Sequence, residues 1–445
     1  MRIGAHAALW LLTVACSAHE RPPSILLVTI DTARADAFGA YGGKASTPTF
    51  DALAQNGVLF TRAATPVPIT HPAHTSLLTG LYPARHGVRD NGLFTLDDHA
   101  LTLAEILQAR GYDTAAFVSA VVLARGFGLA QGFAHYDDAG LSATHLERPA
   151  GETVAAAVAH LRAARTERPF FCWVHLYDPH FPYQPPEPFA ARFHDQPYLG
   201  EVSYADAETD RLIVAARARD PSTVIVITAD HGEGLGEHGE ATHGIFLYQS
   251  TMRVPLVIAG GSLPRGQRCE HLVSLLDVAP TLCEVAGAEI PGGLDGRSLV
   301  RELHGGAADD PPLALETMLP YLSYGWSALH ALVRNQVKVI AAPRPELYDL
   351  ARDPHEQHDL AAERAAQLAA GLRAIAAARA ALKPQTASPY AAAQQALQKL
   401  GYVSTPRAID GRETAAPIPR TWRRCSTWKR RRSGSCSAPS SSARA

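Results

Sequence analysis

The stretch Pro68–Gly80, PITHPAHTSLLTG, places a hydroxyl and two imidazoles where the chain turns from loop into helix. Pro72 suits the first turn of a helix, where the N–H it lacks would have no intrahelical partner, and Ser76, Leu77 and Leu78 continue with a small and apolar pattern. A helix N-terminus presents free N–H groups and the positive end of the macrodipole, so it favours anions. Thr70, His71 and His74 therefore stand where an anionic group would be held. Three other segments end in groups that could join them. SILLVTID ends on Asp31, PFFCWVHLYD ends on Asp178, and STVIVITADHGE carries Asp230 and His231.

These three are short apolar runs, the pattern of strands buried on both faces. Helical stretches lie between them, such as ALTLAEILQARG and GETVAAAVAHLRAAR. Strands alternating with helices predict an α/β fold with a mostly parallel central sheet covered on both faces. Ligands gather at the C-terminal ends of the strands of such sheets. Asp31, Asp178, Asp230 and His231 are expected to converge there.

The chain has 445 residues, 47% of them hydrophobic, enough for one large core and a smaller lobe. Its net charge of -2 gives no sign of nucleic-acid binding. The balance is uneven, because Arg420–Arg444 is rich in Lys and Arg and has no Asp or Glu, which leaves the body about ten charges acidic. The N-terminus, MRIGAHAALWLLTVACSAHERPPS, reads as an export signal, with Arg2 before a short apolar core. That core is too short to span a bilayer comfortably. TVAC resembles a bacterial lipoprotein cleavage site with Cys16 as the lipidated residue; plain secretion is the alternative. The expected location is periplasmic, outer-membrane-attached through Cys16, or secreted. Of the six cysteines, Cys172 and Cys283 lie in apolar segments and read as buried thiols, and no disulfide framework or metal-spaced pattern emerges.

The expected organisation is an export signal over residues 1–21, a catalytic domain over 22–310, a small antiparallel-sheet lobe over 311–382, and a linker with a basic tail over 383–445. In the lobe, ALVRNQVKVIAAP and ELYDLARDPHEQHDLA read as two antiparallel strands and a turn, with ERAAQLAAGLRAIAAARAAL as an Ala-rich helix on them. The last residues lack periodicity and read as disordered. Their abrupt change of composition fits a frameshifted reading, with a nucleic-acid or membrane-surface arm as the functional alternative.

Taken together, the motifs resemble the sulfatases, within the alkaline-phosphatase superfamily. VTIDTARADAFGAYG is similar to that family's first metal-binding strand, and SLLTGLYPARHGV to the helix after its nucleophile. LYDPHFPY, TADHGEGLGEHGE, RVPLVIAG, LLDVAPTLCEVAG, LDGRSL and ELYDLARDPHEQHDLA follow in family order, so the resemblance covers about Pro23 to Tyr402. It implies an alkaline-phosphatase-like α/β/α sandwich. It also implies a divalent metal held by Asp31, Asp230, His231 and Thr70. Carboxylates with one imidazole suit Mn or Zn, with Ca or Mg less favoured. Thr32 stands where many sulfatases carry a further Asp ligand, and Arg34 and Asp36 read as braces of the metal loop.

Sulfatases carry Cys or Ser at the nucleophile position and convert it to formylglycine. Here the frame reads Thr70-His71-Pro72-Ala73-His74. Thr carries a methyl on its β-carbon and cannot become formylglycine, and His74 replaces the motif's Arg. An unmodified Thr hydroxyl on a metal is the arrangement of the superfamily's phosphodiesterase and phosphonate hydrolase branches. The sulfate-gripping Lys and His of arylsulfatases are also absent, with Ser119 and Val121 near their places. Asn91 lies twenty-one residues after Thr70, the spacing of an Asn that donates to a non-bridging oxygen; before Gly92 it also suits a plain turn. His180 would protonate the leaving oxygen. His243, thirteen residues after Asp230, stands where sulfatases have Lys. It would hydrogen-bond the substrate, or join Asp178 and His180 in a second metal site.

Three functional readings follow. The first is an exported metal-dependent hydrolase of phosphate or phosphonate esters with Thr70 as nucleophile. The second is a sulfatase working without formylglycine. The third is a non-catalytic lipoprotein that retains the fold. The expected substrate is a small-molecule, glycan or lipid ester. The natural substrate and the oligomeric state have no signature in the sequence.

Overall fold

The computed structural model describes residues 21–142, 144–163, 167–306 and 310–382, with the backbone of Ser388–Pro389. In it the apolar runs become strands Ile25–Ile30, Phe170–Leu176 and Val224–Ala229, and every residue of the three is buried. Strands buried on both faces must satisfy their backbone groups through neighbours on both edges. Ile25–Ile30 accordingly lies between the other two, parallel to both, with Ile30 level with Leu176 and Ala229. Flush strand ends put the residues that follow, Asp31 and Asp230, side by side.

The nine-stranded sheet runs in the order Gln267–Ser274, Gly57–Ala64, Leu256–Ala259, Val224–Ala229, Ile25–Ile30, Phe170–Leu176, Asp113–Phe117, His135–Asp137, with Arg253–Val254 paired to Gly57–Ala64 off this path. Only Leu256–Ala259 and Arg253–Val254 run antiparallel to their partners. Helices Ala150–Ala163 and Pro197–Arg219 pack together, and helices Thr70–Thr79, Leu103–Ala109 and Val278–Val285 form a second group. The architecture is a mostly parallel sheet between helical layers, the sandwich the alternating pattern predicts. Its core is one continuous apolar cluster that includes Leu27, Phe117, Trp173 and Val226. Each such side chain contributes about 1.5–3 kcal/mol by leaving water.

The C-terminal lobe has a four-stranded antiparallel sheet, Leu313–Thr317, Leu329–Arg334, Val337–Ala341 and Glu346–Asp349, with helix Ala365–Ala381 on it. The sequence suggested two strands. The segment ALVRNQVKVIAAP is itself a hairpin, turned at Asn335 and Gln336, whose φ of 50° and 61° match the turn that follows strand twist. The lobe's apolar face packs against Ile245, Phe246, Leu247 and Tyr248, which follow the site-bearing loop.

Cys172, Cys269 and Cys283 are buried free thiols. The expected export signal with Cys16, apart from Arg21, and the linker and tail beyond Leu382, apart from the backbone of Ser388–Pro389, lie outside the described residues. Among the described residues no helix is long and apolar enough to cross a membrane.

One buried carboxyl away from the strand ends has a measurable consequence. Glu201, in helix Pro197–Arg219, is 4% exposed, and its Oε2 has no hydrogen-bond partner. Burial pushes its pKa up to about 8, with the Gln184 N–H to its Oε1 working against the shift. A carboxyl whose folded pKa lies above the unfolded value stabilises the fold fully below the unfolded pKa. That contribution is lost as pH rises through the folded pKa. Glu201→Gln is therefore expected to unfold at a higher temperature than the wild type at pH 8.5 and at the same temperature near pH 4.5. Thermal unfolding across that range checks it; parallel curves would mean that the Glu201 carboxyl is already ionised at little cost.

Candidate active site and metal centre

At the sheet's C-terminal edge, Asp31, Asp230 and His231 each aim one ligating atom into a common space; these atoms lie within 4.8 Å of one another, and all three residues are fully buried. His231 Nε2 is 3.7 Å from Asp31 Oδ1, 3.4 Å from Asp230 Oδ2 and 3.4 Å from Thr70 Oγ1. Its Nδ1 lies 3.0 Å from the Gly232 carbonyl, which only accepts, so Nδ1 carries the hydrogen and the Nε2 lone pair faces the oxygens. Both Asp31 oxygens and Asp230 Oδ2 have no hydrogen-bond partner. Buried carboxylates without partners are costly, and a divalent cation among them removes that cost. Burial raises the Asp31 pKa, with His180 and His231 opposing; burial and then the charge of Asp31 raise that of Asp230. Burial works against protonating His231, yet the two carboxylates outweigh it and raise its pKa. Two oxygens, one lone-pair nitrogen and the Thr70 hydroxyl form a donor set that fits a divalent metal.

Thr70 opens helix Thr70–Thr79, two residues earlier than Pro72 suggests. The proline is tolerated because it still lies in the first turn. No side chain of the preceding residue caps the helix. Instead Asn91 Oδ1 accepts the His71 N–H at 2.8 Å, which fixes its carbonyl end and leaves the amide NH2 to donate elsewhere. The turn role and the oxygen-binding role read from the sequence are thus compatible in one side chain. His74 lies fully buried beneath the strand ends: its Nδ1 is 2.8 Å from the Thr70 carbonyl and its Nε2 2.9 Å from Thr29 Oγ1. His71 is also fully buried and packs edge-on against Phe127, with 5.4 Å between ring centroids.

Two further histidines reach the trio from the other side. The His243 ring lies 4.3 Å from that of His231 and 5.3 Å from that of His180, centroid to centroid. His243 Nδ1 is 3.2 Å from Glu233 Oε1, and Tyr183 donates to the other oxygen of Glu233 at 3.1 Å. His180 Nδ1 is 2.7 Å from the Phe181 carbonyl. The Phe181 carbonyl only accepts, so His180 Nδ1 carries the hydrogen, with the Tyr177 hydroxyl also 2.7 Å from it.

Asp178 does not join them. Its Oδ2 accepts the Ala150 N–H at 2.8 Å, at the start of helix Ala150–Ala163. Among the described residues the ligand sets that assemble are Asp31/Asp230/His231 and His74/His175/Asp230, so the expected second set of Asp178, His180 and His243 does not form. The reason is local: an uncapped helix start competes for the carboxylate. Arg34 does brace the loop, donating to both Asp36 oxygens and to the Glu233 carbonyl and pairing with Glu237 at 2.7 Å. Thr32 turns away from the trio and donates to the Pro179 carbonyl at 3.0 Å.

Sequence reasoning missed His175 and Glu233. His175 Nε2 is 3.6 Å from Asp31 Oδ2, and the Ser119 hydroxyl and N–H hold its backbone and Nδ1. A single imidazole in the otherwise apolar strand FFCWVHL was the available signal. Glu233 is fully buried, two residues after His231, and nothing in its spacing distinguishes it from a surface residue of the loop.

Comparison with known proteins fits this geometry. The family model described as Sulfatase matches residues 23–288, and the model for the C-terminal region of N-sulphoglucosamine sulphohydrolase matches residues 236–377. The chain is 25% identical over 432 residues to the Delta 4,5-hexuronate-2-O-sulfatase of Bacteroides thetaiotaomicron, covering 79% of this chain and 87% of that protein. It is 28% identical over 449 residues to human arylsulfatase A, covering 80% and 87%. In structure it is similar to the phosphonate monoester hydrolase of Agrobacterium radiobacter, with a TM-score of 0.69, 24% identity, and 82% and 97% coverage. That last likeness bears on the fold alone.

Proposed function

The chain belongs to the sulfatase family, and from that premise we propose that it is a metal-dependent ester hydrolase in which Thr70 is the nucleophile. We assign it phosphate or phosphonate esters as substrates. The observation that carries this reading is the Thr70 hydroxyl, 3.4 Å from the lone-pair nitrogen of His231, at a helix N-terminus beside two unpartnered carboxylates. A divalent cation bound by Asp31, Asp230 and His231 would lower the pKa of the Thr70 hydroxyl and offset negative charge on the transferring group.

The chain's own groups supply the rest. The Thr70 oxygen attacks phosphorus while the helix N-terminus and the Asn91 amide hydrogens stabilise the non-bridging oxygens. The Thr70 hydroxyl gives its proton to His180 or His243, the ester bond breaks with its electron pair on the leaving oxygen, and that imidazolium passes the proton on to the leaving oxygen. Water then attacks the phospho-threonine, its proton goes to the same imidazole, and the imidazolium returns it to the departing Thr70 oxygen. His74 holds the Thr70 carbonyl and so positions the nucleophile. We further infer export through residues 1–21, a catalytic domain over 22–310 and a lobe over 311–382 that supports the loop carrying His243.

A second reading, sulfate ester hydrolysis without formylglycine, draws on the sulfatase relatives. It is the weaker one, because an unmodified hydroxyl lacks the hemiacetal route for expelling sulfate. Purified protein assayed with added Mn or Zn on aryl phosphodiesters, phosphonate monoesters and sulfates decides between them. Phosphorus-ester turnover above sulfate turnover is expected, and the reverse order would overturn the assignment.

The Asn91 assignment has its own test. Aspartate keeps the oxygen that caps the His71 N–H but loses the amide donors and adds a negative charge. Asn91→Asp is expected to unfold at nearly the wild-type temperature while kcat/KM falls about 10²-fold or more, the cost of one lost oxyanion donor. Asn91→Ala should lose about 0.5–2 kcal/mol of stability as well, the usual cost of an absent cap. Calorimetry beside kinetics on both variants separates the two roles.

A further inference from the structure

We propose that the first strand of the C-terminal lobe is a positioning element of the active site, in which Glu316 acts through Arg89 to set the aim of the Asn91 amide. The inference rests on the roles assigned above to Thr70 and Asn91 and deepens that reading. Neither Glu316 nor Arg89 reaches the reacting atoms; both act through the segment that carries Asn91.

Strand Leu313–Thr317 is the edge of its sheet and pairs with Leu329–Arg334 on one side. Its other edge meets the segments that lead into the site. The Glu316 N–H donates to the Pro66 carbonyl at 3.0 Å, four residues before Thr70. Successive side chains of a strand point to opposite faces, so neighbouring residues can hold different segments. Leu313, Leu315 and Thr317 are buried on one face. There the Thr317 hydroxyl donates to the carbonyl of Gly244, the residue after His243, at 2.5 Å. Gly244 has a φ of 96°, a conformation open to glycine, so the clamp falls where the loop makes its tightest turn. Glu316 stands on the other face. Its two carboxylate oxygens accept from Nε and Nη2 of Arg89 at 2.5 Å and 3.0 Å. Arg89 precedes Asn91 by two residues. Two consecutive residues of one strand therefore touch the segments that carry Thr70, Asn91 and His243.

The form of the Arg89–Glu316 pair suits orientation. The two side chains are 8% and 12% exposed, and they meet fork to fork. Such a pair fixes a plane and a direction, which the point charge of a lysine does not. Replacing a buried ion pair by apolar groups is often neutral or stabilising, so stability alone is a weak account of this one. Asn91 has need of a fixed frame. Its Oδ1 is committed to the His71 N–H at 2.8 Å, and its own N–H to Asp90 Oδ1 at 2.8 Å. The amide hydrogens then point where the backbone of residues 89–91 sends them. Arg89 ties that backbone to the same strand whose N–H holds Pro66, so the donor and the nucleophile share one reference.

The test uses Arg89→Lys, which keeps the charge beside Glu316 and removes the fork. With added Mn and bis(p-nitrophenyl) phosphate as the probe, kcat is expected to fall about tenfold while KM stays within about twofold, the pattern of a lost transition-state interaction. The deciding measurement repeats the substitution in Asn91→Asp, where the amide donors are already gone. There it is expected to cost less than about twofold, because a group that acts through Asn91 has nothing left to aim. Glu316→Asp keeps the carboxylate and withdraws it by one methylene; it is expected to repeat both results and decides alone should Arg89→Lys fail to fold. The same loss in both backgrounds, a loss confined to KM, or no loss at all overturns the positioning role and leaves the Thr70 and Asn91 assignments standing. Wild-type turnover in Asn91→Asp itself overturns the Asn91 assignment and this inference together.

Discussion

Thr70→Ala is expected to lower kcat/KM toward phosphorus esters by about 10⁴-fold or more, while the protein keeps its fold. Removing a nucleophile deletes the covalent route, and what remains is positioning and charge stabilisation. The side chain is 3% exposed and its hydroxyl has one neighbour, His231 Nε2. Truncation removes one buried methyl and that hydroxyl, a small loss that leaves the surrounding core in place. Thr70→Ser retains the hydroxyl and is expected to keep measurable turnover. Rapid quenching of the wild-type reaction followed by peptide mass analysis should find a phosphoryl group on Thr70. Undiminished activity in Thr70→Ala would remove the nucleophile assignment and return the hydroxyl to a metal-ligand role alone.

Asp230→Asn is expected to abolish most of the protein's response to metal. In the wild type, adding Mn or Zn to chelator-treated protein is expected to raise the unfolding temperature, with about 2.7 kcal/mol of stabilisation at a hundredfold excess over Kd. The physical source is the pair of buried carboxylates: Asp230 Oδ2 has no hydrogen-bond partner and faces the His231 and His74 nitrogens at 3.4 Å and 3.7 Å. An amide at position 230 lowers the repulsion with Asp31 and weakens the cation's hold. The metal-free variant is therefore expected to be at least as stable as the metal-free wild type, to gain little from added metal, and to lose activity about 10²-fold or more. Thermal unfolding with and without metal checks the first two outcomes. An equal metal-induced shift in the variant would show that the cation is held elsewhere.

The order of the elements and the meeting of Asp31 with Asp230 were readable because both depend on local pattern. An apolar run of strand length followed by a carboxylate says where a strand ends, and parallel topology brings such ends to one edge. Flush register between Ile25–Ile30 and its two neighbours did the rest. Thr70 was readable from the helix start that Pro72 marks and from the family frame around it.

Other features depended on competition between distant groups, which no spacing encodes. Asp178 ends a strand segment much as Asp31 does, yet the free N–H of Ala150 captured it, and it left the centre. Glu233 and His175 came in because loop and strand geometry aimed them inward, where Tyr183, His243 and Asp31 are their neighbours. The hairpin at Asn335 and Gln336 escaped notice because neither residue is glycine, although both adopt positive φ. By itself, then, the sequence determined the sandwich and the meeting of Asp31, Asp230 and His231 at the strand ends, because those rest on periodicity and chain order, while the frame around Thr70 came from the family resemblance. Only the tertiary structure decided which hydrogen each imidazole carries. The acceptors that settle it for His74, His231 and His180, the carbonyls of Thr70, Gly232 and Phe181, take their positions only when the chain is folded.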